Sequence, residues 1–225
     1  MHPSAMNNAR LFFSTYFRSE KPCVVVDIGS QDFNGSMRNV APSHCRYIGV
    51  DFSAGAGVDV VLQDPYQLPF ADGSVDVVVS SSCFEHVEFF WLMFMEVMRV
   101  LKPHGLFYLN APTNGDYHRY PVDCWRFYPD AGVALVRWAK RNGFKPALLE
   151  SFVAYQEHDI WNDFVAVFIQ AESCATEYPG RMLDQLDRYM NGKRYGERSI
   201  LMHQAASEDR SLVRTLSNEL RHTDS

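Results

Sequence analysis

The stretch "VVVDIGSQDFNGS" (Val24–Ser36) decides the fold. Three successive β-branched residues followed by an acid, an isoleucine and a glycine describe a short buried strand that breaks into a turn. In a dinucleotide site, closely spaced glycines and a bare helix N-terminus would follow, bringing backbone amides to a pyrophosphate. Here Ser30, Gln31, Asp32 and Phe33 stand between Gly29 and the next glycine, Gly35. Asp32 would repel phosphate, so the loop argues against a nicotinamide dinucleotide and a nucleotide-dependent oxidoreductase is the weakest reading.

Outward from this strand the pattern repeats. "RYIGVDFS" (46–53), "GVDVVLQD" (57–64), "SVDVVVSSS" (74–82) and "LFYLNAPT" (106–113) read as further strands, with "PALLESFVAY" (146–155) and "NDFVAVFIQA" (162–171) as closing ones. Helices are expected over 6–19, 88–102 and 130–142, the last with Leu135, Val136 and Trp138 at its apolar positions, while Pro103 and Gly105 stop the second. Continuously apolar strands alternating with helices specify an α/β fold, a mostly parallel sheet covered on both faces. From about Ala175 the chain turns more charged. Leu183, Leu186 and Met190, then Leu212, Val213, Leu216 and Leu220, recur at helical spacing. The expected organisation is therefore a domain over 1–175 and a charged helical extension over 176–225, the candidate surface for self-association.

Bulk properties exclude several classes. The chain has 225 residues, 47% of them apolar and 21% charged, as in an ordinary globular α/β protein. A formal charge of −6 without a Lys/Arg run gives no footprint for nucleic acid or an anionic membrane. Five scattered cysteines with no CxxC pair suit a reducing cytoplasm and neither a disulfide framework nor a thiolate metal site. "FFWLMFMEVMRVL" (89–101) is too short and too interrupted to span a bilayer, and no secretory signal is expected at the start of the sequence.

Three acids fall at or just before strand ends: Asp27, Asp51 and Asp64. Ligands in open α/β sheets bind beyond the carboxyl ends of the strands, where the strand order reverses. Carboxylates there suit S-adenosylmethionine, which has no phosphate but carries an ammonium, a sulfonium, a ribose diol and an adenine amino group. Asp27 is the candidate for the ammonium end, Asp51 for the ribose hydroxyls and Asp64 for the adenine, with Gly29 allowing close backbone approach.

The chain resembles the class I S-adenosylmethionine-dependent methyltransferases, small-molecule branch, over roughly residues 20–171. The runs that carry the resemblance are "VVVDIGS", "YIGVDFS", "LQDPYQLPFADGSVDVVVSSSCFEHV" and "MRVLKPHGLFYLNAP". It implies a doubly wound, mostly parallel seven-stranded Rossmann-like sheet, and S-adenosylmethionine held by Asp27, Gly29, Ser30, Asp51, Phe52, Asp64, Pro65, Ser81 and Ser82. Glu85 and His86 match the family's "EH" pair.

The segment "GDYHRYPVDCWRFYP" (115–129) is too long to be a mere connector and follows the fifth strand. In it His118 is the candidate base and Asp123 its orienter. Arg119 and Arg126 are candidates for gripping an anionic substrate group, Trp125 and Tyr128 for stacking on a ring. His158, Asp159 and Asp163 of "EHDIWND", with Asp123, offer an oxygen-rich set for Mg²⁺; solvated turn charges are the better reading, and no metal is assigned. The expected function is methyl transfer to a hydroxyl or amine of a small molecule or glycan precursor. The alternative is a non-catalytic scaffold or regulatory protein of the same fold.

Overall fold

The computed structural model describes residues 2–17, 21–157 and 160–223. Eight strands form one sheet: β1 (Cys23–Ile28), β2 (Cys45–Asp51), β3 (Val60–Val61), β4 (Val75–Ser81), β5 (Leu101–Pro112), β6 (Ala147–Val153), β7 (Asp163–Ile169) and β8 (Met190–Arg194). Their order is β3-β2-β1-β4-β5-β7-β6-β8. Neighbours among β1 to β5 pair in parallel; β7 runs antiparallel between β5 and β6, and β8 antiparallel beside β6. The order reverses between β1 and β4, so the crevice lies at the carboxyl ends of β1, β2 and β4.

The strand period of two divides the core. Val26, Val78 and Phe107 face one side, against Met93, Phe94 and Val97 of α2 (Phe90–Val100) and Leu135 and Ala139 of α3 (Ala131–Arg141). Val25, Val77, Val79 and Tyr108 face the other, against α1 (Pro3–Tyr16), whose Phe12 stacks on Tyr108 with ring centroids 4.7 Å apart. Trp138, expected at an apolar position of α3, stands 37% exposed, and Ala139 takes the inward place.

Strand–helix alternation is incomplete. Only a short 3₁₀ turn, Met37–Asn39, interrupts the link from β1 to β2. The amides that would start a helix after Gly29 are engaged elsewhere: Gly29 and Ser30 donate to the Val50 carbonyl and Asp32 to that of Ala56, while Gly35 donates to Asp32 Oδ1. The N-terminal helix α1 covers the face left bare.

The segment 176–225 also departs from expectation. Met182, Leu183 and Tyr189 share a hydrophobic cluster with β1, β4 and β5, and β8 extends the sheet to eight strands. The spacing yields only a short 3₁₀ turn, Met182–Gln185, whose start is held by a long-range anchor. Buried Glu150 on β6 accepts bonds from the amides of Met182 (2.8 Å) and Leu183 (3.0 Å) and from the Tyr16 hydroxyl (2.6 Å). The boundary expected at 175 thus falls inside one continuous core; among the described residues of this segment, beside the 3₁₀ helices Glu172–Glu177 and Met182–Gln185, the α-helix is α4 (Glu208–Thr223), where Leu212, Val213 and Leu216 are exposed.

The cysteine expectation is also corrected. Cys23 and Cys45 are register partners at the starts of β1 and β2, with Cα atoms 4.6 Å apart, and form a disulfide. Among the described residues no helix is long and apolar enough to cross a membrane.

The "LPFADG…EVMRV" pattern has a structural explanation. Arg99 donates to the carbonyls of Leu68 and Phe70 and pairs with Glu96 and Asp72, while Glu96 accepts the Leu68 amide. Together these pin the loop before β4 to α2. Arg99→Met is expected to cost about 2 kcal/mol, because two carbonyls and Glu96 lose a charged donor. In a chain of this size that lowers the thermal midpoint by roughly 4–8 °C, measurable by calorimetry.

Candidate active site

At the carboxyl ends of β1, β2 and β4 lies a cavity of about 650 Å³, within the range typical of small-molecule sites. Asp27, near the end of β1, is 2% exposed. Its Oδ2 accepts the Tyr47 hydroxyl at 2.7 Å, while Oδ1 is buried without a protein partner. Burial pushes its pKa up to about 7 against the lowering effect of that hydroxyl. Asp51 ends β2 and accepts the amides of Gln31 (3.2 Å) and Ser53 (3.3 Å). Ser30 and Ser81 also present buried hydroxyls with no protein partner.

The turn between these acids depends on Gly29. Its φ is +78°, and a Cβ there would lie 2.5 Å from Cβ and Sγ of Cys83. The close approach it permits is therefore to Cys83. Phe52, 57% exposed, and Pro65 stand at the rim.

The opposite wall comes from the turn after β4 and the loop after β5. His86 Nδ1 lies 2.5 Å from the Val122 carbonyl, which fixes the proton on Nδ1 and leaves Nε2 as an acceptor. Burial lowers the pKa of His86. His118 is held by its own amide, which donates to Asp123 Oδ2 at 2.8 Å, and its ring stands edge-to-face on that of His86 at 4.9 Å. Tyr120 reaches across to Phe33, with centroids 5.3 Å apart. Two carboxyl groups and two buried hydroxyls thus share one cavity with a pair of imidazoles.

Residues 26–109, which contain the end of β1, all of β2 to β4, α2 and most of β5, match the methyltransferase domain family. Over that segment the chain is similar to the class I S-adenosylmethionine-dependent methyltransferases. An uncharacterized methyltransferase of Mycobacterium sp. (strain KMS) is 54% identical over 111 residues, covering 45% of this chain and 44% of that protein. Another, from Mycobacterium sp. (strain JLS), is 47% identical over 95 residues, 42% of this chain and 37% of that protein. The matched region spans less than half the length of these curated relatives. Among solved structures, Burkholderia thailandensis 1,6-didemethyltoxoflavin-N1-methyltransferase, with 1,6-didemethyltoxoflavin and S-adenosylhomocysteine bound, superimposes with a TM-score of 0.56 at 14% identity, covering 75% of this chain and 79% of that one. That likeness shows the shared fold.

Asp27, Gly29, Ser30, Asp51, Phe52, Pro65, Ser81 and Ser82 all line the cavity, as do His118 and Arg119. Asp64 does not. It is exposed three residues beyond the short β3, and its Oδ1 accepts the Tyr66 amide at 2.8 Å, so it shapes the turn that presents Pro65 and Tyr66. Asp123, Trp125, Arg126 and Tyr128 are also outside the lining. Arg126 makes a forked pair with Asp123, at 2.6 and 2.9 Å, and donates to the Asp116 carbonyl. This guanidinium holds the Asp123 carboxyl down at about 2. The Trp125 indole donates to the Val87 and Glu88 carbonyls, and Tyr128 is 71% exposed. These groups fold the loop that presents His118 to Val122. His158 and Asp159 lie outside the described residues; Asp163 is buried and accepts from Ser4 Oγ. Sequence reasoning missed Gln31, Phe33, Tyr66, Cys83 and Tyr120, which line the cavity; adjacency to a motif was the only signal for them.

Proposed function

We propose that this chain binds S-adenosylmethionine in the strand-end cavity and transfers its methyl group to a hydroxyl or amine of a small molecule, a glycan precursor being one candidate. The observation that supports this best is a buried, partnerless Asp27 oxygen beside Asp51, at a switch point that lacks a helix N-terminus for phosphate. A cation fits the former and a diol the latter, so the residues present suit this cofactor. When bound, it supplies an electrophilic methyl on a sulfonium, the leaving group being neutral S-adenosylhomocysteine. Asp27 and Asp51 orient it, with Phe52 and Pro65 at its rim.

On the acceptor side the chain contributes alignment and exclusion of water. Phe33 and Tyr120 narrow the mouth, and their exposed rings suit the face of a sugar or heterocycle. His86 and His118 offer the nitrogen acceptors of that wall. Isothermal titration with S-adenosylhomocysteine tests the cofactor assignment: micromolar binding supports it, and no heat at millimolar ligand contradicts it. A labelled-methyl assay over metabolite fractions separates catalysis from a binding-only role, since a scaffold binds the cofactor and labels nothing.

Asp27 sets a pH dependence. Its native pKa lies above the unfolded value, so below about 7 the free protein holds a proton there that binding of an ammonium group expels. Affinity for S-adenosylhomocysteine is expected to rise about tenfold between roughly pH 6 and pH 8, with proton release on binding at the acid end. Folding stability moves oppositely. The unfolded chain gives up this proton near pH 4 and the native one near 7, so this group's contribution declines as pH rises through that window. Calorimetry in buffers of differing ionisation enthalpy checks the proton count.

A further inference from the structure

We propose that Glu85, His86 and His118 are the ligands of one divalent transition-metal ion on the acceptor side of the cavity. One ligand atom from each lies within 4.8 Å of the other two. A single ion with ligands at about 2.1 Å needs them roughly 3–3.5 Å apart, so side chains draw in by about 1–1.5 Å on loading.

Three independent features prepare the site. First, the second-sphere contacts of metal-binding histidines are present. His86 Nδ1 donates to the Val122 carbonyl, freeing Nε2, which lies 3.8 Å from Glu85 Oε1. His118 Nδ1 lies 3.1 Å from the Asp116 carbonyl and 3.5 Å from Asp123 Oδ2, leaving its Nε2 as the free ring nitrogen. Second, Glu85 is 1% exposed and its Oε2 has no hydrogen-bond partner. A buried carboxyl in that condition is kept neutral by a proton or is held by a cation, and the two imidazoles beside it supply the remaining ligands for the second case. Arg126 does not pair with Glu85: its guanidinium is bonded to Asp123, Asp116 and Trp125. Third, His86 and His118 line the cavity, so the coordination positions opposite the protein ligands open toward a bound molecule.

Two imidazoles and one carboxylate suit zinc-, iron- or manganese-type ions better than Mg²⁺ or Ca²⁺, whose ligands are oxygens. The role of the ion, though not its binding, rests on the methyl-transfer reading. It would hold the acceptor hydroxyl and lower its pKa. The proton passes to water, the oxygen forms its bond to the methyl carbon as the carbon–sulfonium bond breaks, and S-adenosylhomocysteine leaves neutral.

The test is titration of metal-free full-length protein with Co²⁺, followed spectrally, and with Zn²⁺ by calorimetry. The expected result is one equivalent bound, d–d bands without a sulfur-to-cobalt charge-transfer band, and at least about a tenfold loss of affinity in both His118→Gln and Glu85→Gln. Thermal unfolding checks that the variants fold. His118 is partly exposed, so His118→Gln carries the test if Glu85→Gln does not fold. No binding at near-millimolar Co²⁺, binding undiminished in His118→Gln, or a thiolate charge-transfer band would each overturn the proposal. S-adenosylhomocysteine binding by the same metal-free wild type reports on the cofactor reading separately.

Discussion

Replacing Asp51 with alanine is expected to weaken S-adenosylhomocysteine binding by about 100-fold or more while leaving the fold intact. Asp51 is 6% exposed, and its hydrogen bonds within the protein are to two amides at 3.2 and 3.3 Å, at or beyond the long end of the useful range. An ionised carboxylate offers about four acceptor directions, so capacity remains for both hydroxyls of a ribose diol. Two hydrogen bonds to a charged acceptor contribute about 3–4 kcal/mol, which corresponds to roughly 100- to 1000-fold in affinity. Asp51→Asn keeps one acceptor and falls between wild type and alanine. Calorimetric titration gives the affinities and thermal unfolding the stability. A large loss of stability in Asp51→Ala with unchanged affinity would assign Asp51 to the fold alone.

Gly29→Ala is expected to be the most destabilising single methyl added to the site. The residue sits at φ +78°, a region that costs an L-residue about 1–2 kcal/mol, and the new Cβ would lie 2.5 Å from two atoms of Cys83. Overpacking adds about 1–3 kcal/mol, so a total near 3 kcal/mol and a fall in the thermal midpoint of roughly 6–12 °C are expected. Gly73 supplies the control. Its φ is +60° and nothing lies within 4 Å of its added Cβ. Gly73→Ala therefore carries only the backbone cost, about 1–2 kcal/mol. Equal midpoints for the two variants would show that the contact between Gly29 and Cys83 yields without cost.

Strands β1, β2, β4, β5, β6 and β7 were legible because each is a run of apolar, often β-branched residues bounded by Gly, Pro or acids, which is a local signal. Strand-end position made Asp27 and Asp51 legible for the same reason. The features that were not legible depend on partners far along the chain. The loop 29–44 forms no α-helix because its amides are bonded to the carbonyls of Val50 and Ala56. Residues 182–190 form only a 3₁₀ turn (Met182–Gln185) followed by the start of β8, and Glu150, some thirty positions earlier, fixes where that turn begins by taking the amides of Met182 and Leu183. The Cys23–Cys45 bond follows from register between adjacent strands, invisible until sheet order is known. Arg126 and Trp125 looked like substrate contacts because composition marks a functional loop without saying which way its side chains turn; here they tie it to Asp123 and to the turn after β4.

The central claim is that the carboxylates at the ends of β1 and β2 hold the methyl donor. A crystal structure of the full chain grown with S-adenosylhomocysteine tests it most directly. The account predicts density in the strand-end cavity with both ribose hydroxyls on the Asp51 carboxylate and the amino group at the partnerless oxygen of Asp27. Ligand bound elsewhere, or bound there with both carboxylates left to their present protein partners, would contradict it.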